Sequence, residues 1–331
     1  MTRRAIALIS GGLDSLLAAR VVMDQGIEVE GVSFVIGFAS KDNKMFERNV
    51  KAKAVEINLP LRIIDISKVF LEVLRAPKHG YGANINPCID CKTLMLRKAK
   101  EIMEKEGFDF IITGEVLGQR PMSQRRDALN TIKNHSGLGG RLLRPLCAKM
   151  LDETIPEKEG IVDRSRLFDI RGRSRKQQME LAERYGLKDY AQPAGGCLLT
   201  DPGFAARIKD LMAHGDLGME NVNLAKTGRH FRIGPGAKVV LGRDDKENNT
   251  LMAQKIEKDV AFRLFFDPGP YALLRGEASE ENIRTAASLV VSHSKKKNET
   301  SAKVEFWVVE GEKKTITVSP MGRVELEKMR I

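Results

Sequence analysis

The first part of the chain alternates between two rhythms of apolar positions. Ala5–Ser10 is a short apolar run that ends in glycines. Leu13–Gln25 places Leu16, Leu17, Ala19 and Val22 at the spacing of one helical face. Val29–Phe38 is rich in β-branched and aromatic residues, which predicts a second strand. A helix over Phe46–Ile57, a strand over Leu61–Ile66 and the start of a helix over Val69–Arg75 follow. Cys91–Lys105 reads as a helix with one basic face, Phe110–Thr113 as a fourth strand and Arg141–Leu146 as a fifth. Strands alternating with helices predict an α/β fold, a doubly wound, mostly parallel sheet covered on both faces. Such sheets bind ligands beyond the carboxyl ends of their strands.

Two stretches break the rhythm. Residues 114–140 are polar and punctuated by glycine, which predicts a long functional loop. The basic stretch FDIRGRSRKQQ leads into a helix over Lys176–Tyr185, and the run Arg164, Arg166, Arg171, Arg173, Arg175 and Lys176 reads as a surface for an RNA backbone. Ala191–Pro202, with Cys197, reads as irregular, and Ala205–His214 as a short helix.

From about Asp216 the pattern changes. Asn221–Arg243 and Tyr271–Arg275 read as strands with glycine turns. Glu280–Ser292 is an amphipathic helix, with Ile283, Ala286, Ala287, Val290 and Val291 on one face. Val304–Val309 and Thr315–Val318 read as a closing hairpin. The expected organisation is a larger domain over 1–215 and a smaller α+β domain over 216–331.

Composition narrows the class. Hydrophobic residues are 42% and charged residues 30%, a globular balance, and no apolar run approaches the roughly 20 residues of a membrane helix. The opening MTRRAIALIS runs into a glycine turn with no small-residue cleavage site, so it reads as a first strand of a cytoplasmic protein. The net charge of +11 suits a polyanionic partner. That excess is shared, since residues 221–331 carry 20 Lys and Arg against 15 Asp and Glu.

The candidate chemistry begins at Ser10-Gly11-Gly12-Leu13-Asp14-Ser15, between the first strand and the first helix. Glycines let backbone approach an anion closely, and a helix start offers unpaired N–H groups. Ser10 and Ser15 add hydroxyl donors. Asp14 would repel bare phosphate, but it fits if Mg²⁺ bridges carboxylate and phosphates. The string has no Gly-Lys-Ser/Thr, so it is not a Walker loop.

Of the four cysteines, Cys88 and Cys91 form a Cys-x-x-Cys pair before a helix, and Cys197 follows Gly195-Gly196. A helix N-terminus there would favour thiolates. Three thiolates suit a [4Fe–4S] cluster with one open iron. A persulfide on Cys197 with a resolving cysteine, or structural zinc, are the alternatives. Cys147 reads as a small buried hydrophobe.

SGGLDS resembles the PP-loop of ATP pyrophosphatases, which cleave ATP between the α and β phosphates. SGGLDS, NPCIDCK, TGEVLGQ, LLRPL and GGCLLTD stand in the order found in PP-loop tRNA thiouridine synthases, over about residues 1–200. This resemblance implies an adenine nucleotide alpha hydrolase-like fold. It implies ATP and Mg²⁺ at Ser10, Gly11, Gly12, Asp14 and Ser15, with Phe34, Thr113, Gly114, Glu115, Gln119 and Arg144 on the nucleotide and base side. It implies Asp14, Cys88, Cys91 and Cys197 as catalytic residues, the three cysteines also as cluster ligands, and tRNA and a sulfur donor as partners. The THUMP domain of 4-thiouridine enzymes and the β-barrels of 2-thiouridine enzymes are not evident. From about residue 220, GRHFRIGPGAKVVLGRDDKENN and PYALLRGEASEENIRTAASLVVSHSKKKN resemble the RNA-binding domain of NFACT-type proteins. Arg229, His230, Arg232 and Arg243 near glycine turns are the expected phosphate contacts.

The expected activity is ATP-dependent thiolation of a tRNA uridine. A PP-loop enzyme making an amide or thioamide on a small molecule, and a non-catalytic tRNA adaptor, are the alternatives.

Overall fold

The computed structural model describes residues 3–38, 40, 42–188, 190, 197–308 and 311–331. It divides into two compact units, Met1–Thr200 and Asp201–Ile331.

The first unit runs β1 (Arg4–Leu8), α1 (Leu13–Met23), β2 (Glu28–Val35), α2 (Asn43–Glu56), β3 (Leu61–Asp65), α3 (Ser67–Arg75), α4 (Cys88–Glu106), β4 (Phe110–Thr113), α5 (Arg126–Ser136), β5 (Leu142–Leu143), α6 (Ile155–Lys158) and α7 (Lys176–Arg184). The strands form one sheet in the order β3-β2-β1-β4-β5, and every pairing is parallel. β1 and β4 are buried almost throughout, as strands covered on both faces must be. α1 packs its Leu13, Leu16, Leu17 and Val22 into a core shared with Ala5, Ala7, Phe110 and Ile112.

The strand order reverses at β1, which pairs β2 on one side and β4 on the other. A crevice at the carboxyl ends of these two strands is therefore the expected binding place. The loop Ile9–Gly12 leaves β1 there, and Gly114–Gln119 leaves β4 there.

Two expectations change here. Residues 114–140 are not one loop, because 126–136 form α5, whose Ala128, Leu129 and Ile132 are buried. A helix-compatible apolar face was present, but its polar surroundings masked it. The cysteine pair is not ahead of its helix. Cys88 is the first residue of α4, so both thiols stand on its first turn.

The second unit runs α8 (Pro202–Ala213), α9 (Met219–Leu224), β6 (Arg229–Gly234), β7 (Ala237–Leu241), α10 (Asp245–Ala253), β8 (Val260–Leu264), β9 (Ala272–Gly276), α11 (Glu280–Ser292), β10 (Ala302–Val308), β11 (Lys314–Val318) and α12 (Arg323–Met329). Its six strands lie in the order β11-β10-β8-β9-β7-β6, with every pair antiparallel. α11 covers one face through Ala286, Ala287, Leu289 and Val290. Val240, Ala261 and Leu273 turn to the other face and meet Leu224 and Leu251 of α9 and α10. The stretch expected as strand from Asn221 begins instead as helix α9. β8, α10 and α12 lay outside the elements expected from the sequence. Among the described residues, no helix is long and apolar enough to cross a membrane.

Candidate active site

The loop after β1 is shaped by its own serines. Ser15 Oγ donates to Gly12 O at 2.7 Å and accepts from Ser10 N at 3.3 Å, which bends the chain into the start of α1. Gly11 sits at φ +76°, the left-handed region that glycine enters at low cost. A Cβ on it would also lie 3.0 Å from Val50 Cγ2.

Gly114 fits beneath this loop. A Cβ there would stand 2.5 Å from the backbone of Asp14 and from Ser15 N. Only a residue without a side chain lets the end of β4 pass so close to α1.

Asp14 stands in the first turn of α1 and turns toward Gln119, whose Nε2 donates to its Oδ2 at 2.9 Å. Burial pushes the Asp14 carboxyl up, against the opposing pull of Gln119 and the charges of Arg175 and Arg120. Asp14 Oδ1, Gln119 Oε1 and Arg175 Nε are buried with no hydrogen-bond partner. Unpaired buried polar atoms are costly, and their gathering marks a place prepared for a polar ligand. The two oxygens suit a hard divalent cation, and the two arginines suit phosphate.

Glu115, next in the chain, is buried and bound on both sides. Lys92 Nζ donates to its Oε1 at 2.6 Å, and Arg144 Nε donates to its Oε2 at 2.8 Å. Burial alone would raise this carboxyl, but Lys92 and Arg144 hold it down at about 2. Arg144 is not a solvated strand-end residue. It is itself buried, and its second nitrogen donates to Leu129 O. Cys147 is buried against the same segment, its Sγ donating to Glu115 O at 3.3 Å.

Lys92 follows Cys91 directly, so Glu115 anchors the helix turn that carries both cysteines. Cys88 Sγ donates to Asn86 Oδ1 at 3.1 Å. Leu198 N donates to Phe38 O at 3.0 Å, Ile85 N to Leu199 O at 3.4 Å and Asn84 Nδ2 to Thr200 O at 2.7 Å. The first bond ties Leu198 to the chain after β2, and the other two strap Leu199 and Thr200 to the loop in front of Cys88. The three thiols consequently feel one another. Burial and then the charges of Cys197 and Cys88 push Cys91 up, while burial pushes Cys197 up to about 11. Cys88 is also raised by burial, with Lys92 and Arg120 pulling it back. The expected thiolate preference at the helix start is thus outweighed by desolvation. All four cysteines are free. Among the described residues, no group of three or more His, Cys, Asp or Glu is gathered closely enough to hold a metal ion. Gly195 and Gly196, expected to shape the Cys197 turn, lie outside the described residues.

Phe34 is buried on β2, paired with Ile64 of β3. Glu115 was expected on the nucleotide and base side with Thr113, Gly114 and Gln119, and the site residues not singled out from sequence are Lys92 and Arg120. Lys92 and Glu115 lay inside the strings NPCIDCK and TGEVLGQ, but a charge pair between segments 23 residues apart has no local signature. The basic run from Arg164 is divided. Arg164 donates to Ala148 O and Leu151 O and Arg166 to Asp24 O, so both hold the fold, whereas the charge of Arg175 acts on Asp14 and lowers its carboxyl. In the second unit, Arg232 is paired with Asp210 and Asp216, Arg243 with Glu247, and His230 is buried. Arg232 and His230 are thus held internally and are not the open phosphate contacts expected of them, whereas Arg243 stays exposed beside Glu247.

Residues 1–162 match the family described as thiamine biosynthesis protein (ThiI). Residues 228–330 match the NFACT protein RNA binding domain. The chain is thus similar to the ThiI family over its first 162 residues and to the NFACT RNA-binding domain over 228–330. The chain is 26% identical over 121 residues to the tRNA-specific 2-thiouridylase MnmA of Sulfurimonas denitrificans, covering 35% of this chain and 36% of that protein. It is 27% identical over 158 residues to a probable tRNA sulfurtransferase of Ureaplasma parvum, covering 46% of this chain and 38% of that one. The chain thus spans little more than a third of the length of these relatives. A solved structure titled as a 4-thiouridine synthetase–RNA complex with bound ATP aligns with TM-score 0.36 and 22% identity, over 56% of this chain and 52% of that one.

Proposed function

We propose that the chain is a tRNA sulfurtransferase, in which the ThiI-like domain activates a tRNA uridine with ATP and replaces its oxygen with sulfur. One observation carries the reading. Lys92, beside Cys91, donates to Glu115 at 2.6 Å, and Glu115 stands between Gly114, packed against Asp14 and Ser15, and Gln119, bonded to Asp14, which supports one site that serves both the loop and the thiols.

In this reading ATP lays its phosphates on Ser10–Ser15, with Arg120 and Arg175 neutralising charge. Asp14 and Gln119 would hold Mg²⁺, which screens the phosphates when bound. The uridine carbonyl oxygen attacks the α-phosphorus, forming an O–P bond and releasing pyrophosphate. Positioning and charge neutralisation supply most of such catalysis. A sulfur nucleophile then bonds the activated carbon, and the C–O bond breaks with AMP leaving. Phe34, Gly114 and Arg144 shape the nucleotide and base side, the last through Glu115.

Cys88, Cys91 and Cys197 present the sulfur. Three thiols are the donor type that a [4Fe–4S] cluster takes, and a bound cluster would supply an open iron for sulfide, but the described residues do not gather the three closely enough to hold a metal ion as they stand. The same trio serves a persulfide on Cys197. There, Cys88 or Cys91 attacks the Cys197 sulfur, the thiouridine leaves, and a thiol reductant reopens the resulting disulfide. An anaerobic absorbance spectrum with iron and sulfide content separates the two.

The test is a reaction of ATP, sulfide and unmodified tRNA, read as thionucleoside by mass spectrometry. Thionucleoside formed by wild type and lost in Cys197→Ala supports the reading. Thionucleoside at wild-type yield from Cys197→Ala removes the sulfur role of that residue. Pyrophosphate release driven by a metabolite and indifferent to tRNA selects the small-molecule enzyme, and tRNA binding with no pyrophosphate selects the adaptor.

A further inference from the structure

The segment joining β8 to β9, residues 265–271, holds an exposed aromatic where chain physics disfavours one. Phe266 is 92% exposed, the most open large apolar side chain among the described residues. Its φ is +62°. A bulky side chain in the left-handed region is an outlier, because its Cβ crowds the following carbonyl. Glycine or asparagine would occupy this position at less cost. The chain instead keeps a large ring in a strained turn and holds it in water.

The surroundings are cationic. Phe265 and Phe266 have ring centroids 4.1 Å apart, and Lys303 Nζ lies 4.4 Å from the centre of the Phe265 ring. Phe265 N donates to Lys303 O at 3.0 Å, which fixes the turn to β10. Lys296 meets Asp267 at 3.2 Å, bringing the Lys295–Lys297 run to the same turn, with Lys295 and Lys297 exposed. An open π-face bordered by lysines matches one chemistry, that of a nucleotide. The ring stacks on an unpaired base while the ammonium groups meet phosphates.

We propose that Phe266 is a stacking platform for an unpaired base of the bound RNA, flanked by Lys296 and Lys303. This rests on the RNA-binding reading of the second unit and adds the residue and the kind of nucleotide it takes.

The experiment uses the full chain and an unmodified tRNA transcript. Dissociation constants of wild type, Phe266→Ala, Phe266→Tyr and Phe266→Gly are measured across a salt series, alongside thermal midpoints. Loss of one stacked base weakens binding by about tenfold or more, and it leaves the salt dependence unchanged because no phosphate contact is removed. The expected result is therefore weaker binding in the Ala and Gly variants with parallel salt slopes and binding restored in Tyr. Phe266→Gly also raises the thermal midpoint, since the strain is relieved. Ultraviolet crosslinking should place an RNA nucleotide on Phe266. Wild-type binding that Phe266→Ala leaves intact, or a crosslink map that omits this turn, overturns the proposal alone. A wild-type chain that fails to bind the transcript at low salt overturns the RNA-binding reading and this proposal with it.

Discussion

Lys92 Nζ and Glu115 Oε1 lie 2.6 Å apart, and this contact ties the first turn of the cysteine-bearing helix to the end of β4. Gly114 on one side of that carboxylate touches the phosphate loop, and Gln119 beyond it holds Asp14. Six residues therefore link the nucleotide end of the proposed site to its thiol end.

Removing the Glu115 carboxylate leaves a buried Arg144 without its partner. Glu115→Ala should cost about 3–5 kcal/mol of stability, seen as a lower denaturant midpoint. The carboxyl is held at about 2 against an ordinary 4.5, so its contribution is complete above pH 4.5 and is lost as pH falls toward 2. Thermal midpoints should fall more steeply across that window in wild type than in Glu115→Gln.

Gly114→Ala should displace the phosphate loop, because its new methyl carbon would lie 2.5 Å from the Asp14 backbone. Overpacking of this kind costs about 1–3 kcal/mol. Pyrophosphate release should be largely lost. Gly218→Ala, where nothing lies within 4 Å, is the control and should leave release unchanged.

Asp14→Asn should separate stability from activity. Its carboxyl is raised by burial, so the charged form destabilises the folded chain at pH values above its ordinary 3.8. The variant should melt higher at pH 7. Its pyrophosphate release should fall by about a hundredfold or more, the scale on which a lost electrostatic group acts. A lower melting point with unchanged release would contradict both assignments.

Thiol reactivity should follow burial. With Cys197 pushed up to about 11, alkylation by iodoacetamide in the reduced, metal-free chain should be slow at pH 7 and rise about tenfold per pH unit toward 11. Lys92→Met should slow alkylation of Cys88 further, since the Lys92 charge favours its thiolate. Peptide mass spectrometry reads both.

Local chemistry wrote much of this protein plainly. The alternation of apolar runs along 5–113 determined a parallel sheet, and β4 falls where four apolar and β-branched residues predicted it. SGGLDS determined a tight turn into α1, because glycines and a helix start act over six neighbouring residues. Helix α5 was hidden because polar residues crowd its exposed face, and β8 because its short run offers no alternation to read.

The tertiary structure decided what each charged and thiol group does. Glu115 became a link only when folding set Lys92 and Arg144 on either side of it. The thiols became hard to ionise because the fold buries them, an effect opposite in sign to that of the helix start they stand on. Arg232 looked open in sequence and is closed by Asp210 in space. Coulomb and desolvation terms depend on distances that the chain sets only when folded, which is why the sequence named the groups and the fold assigned their charges.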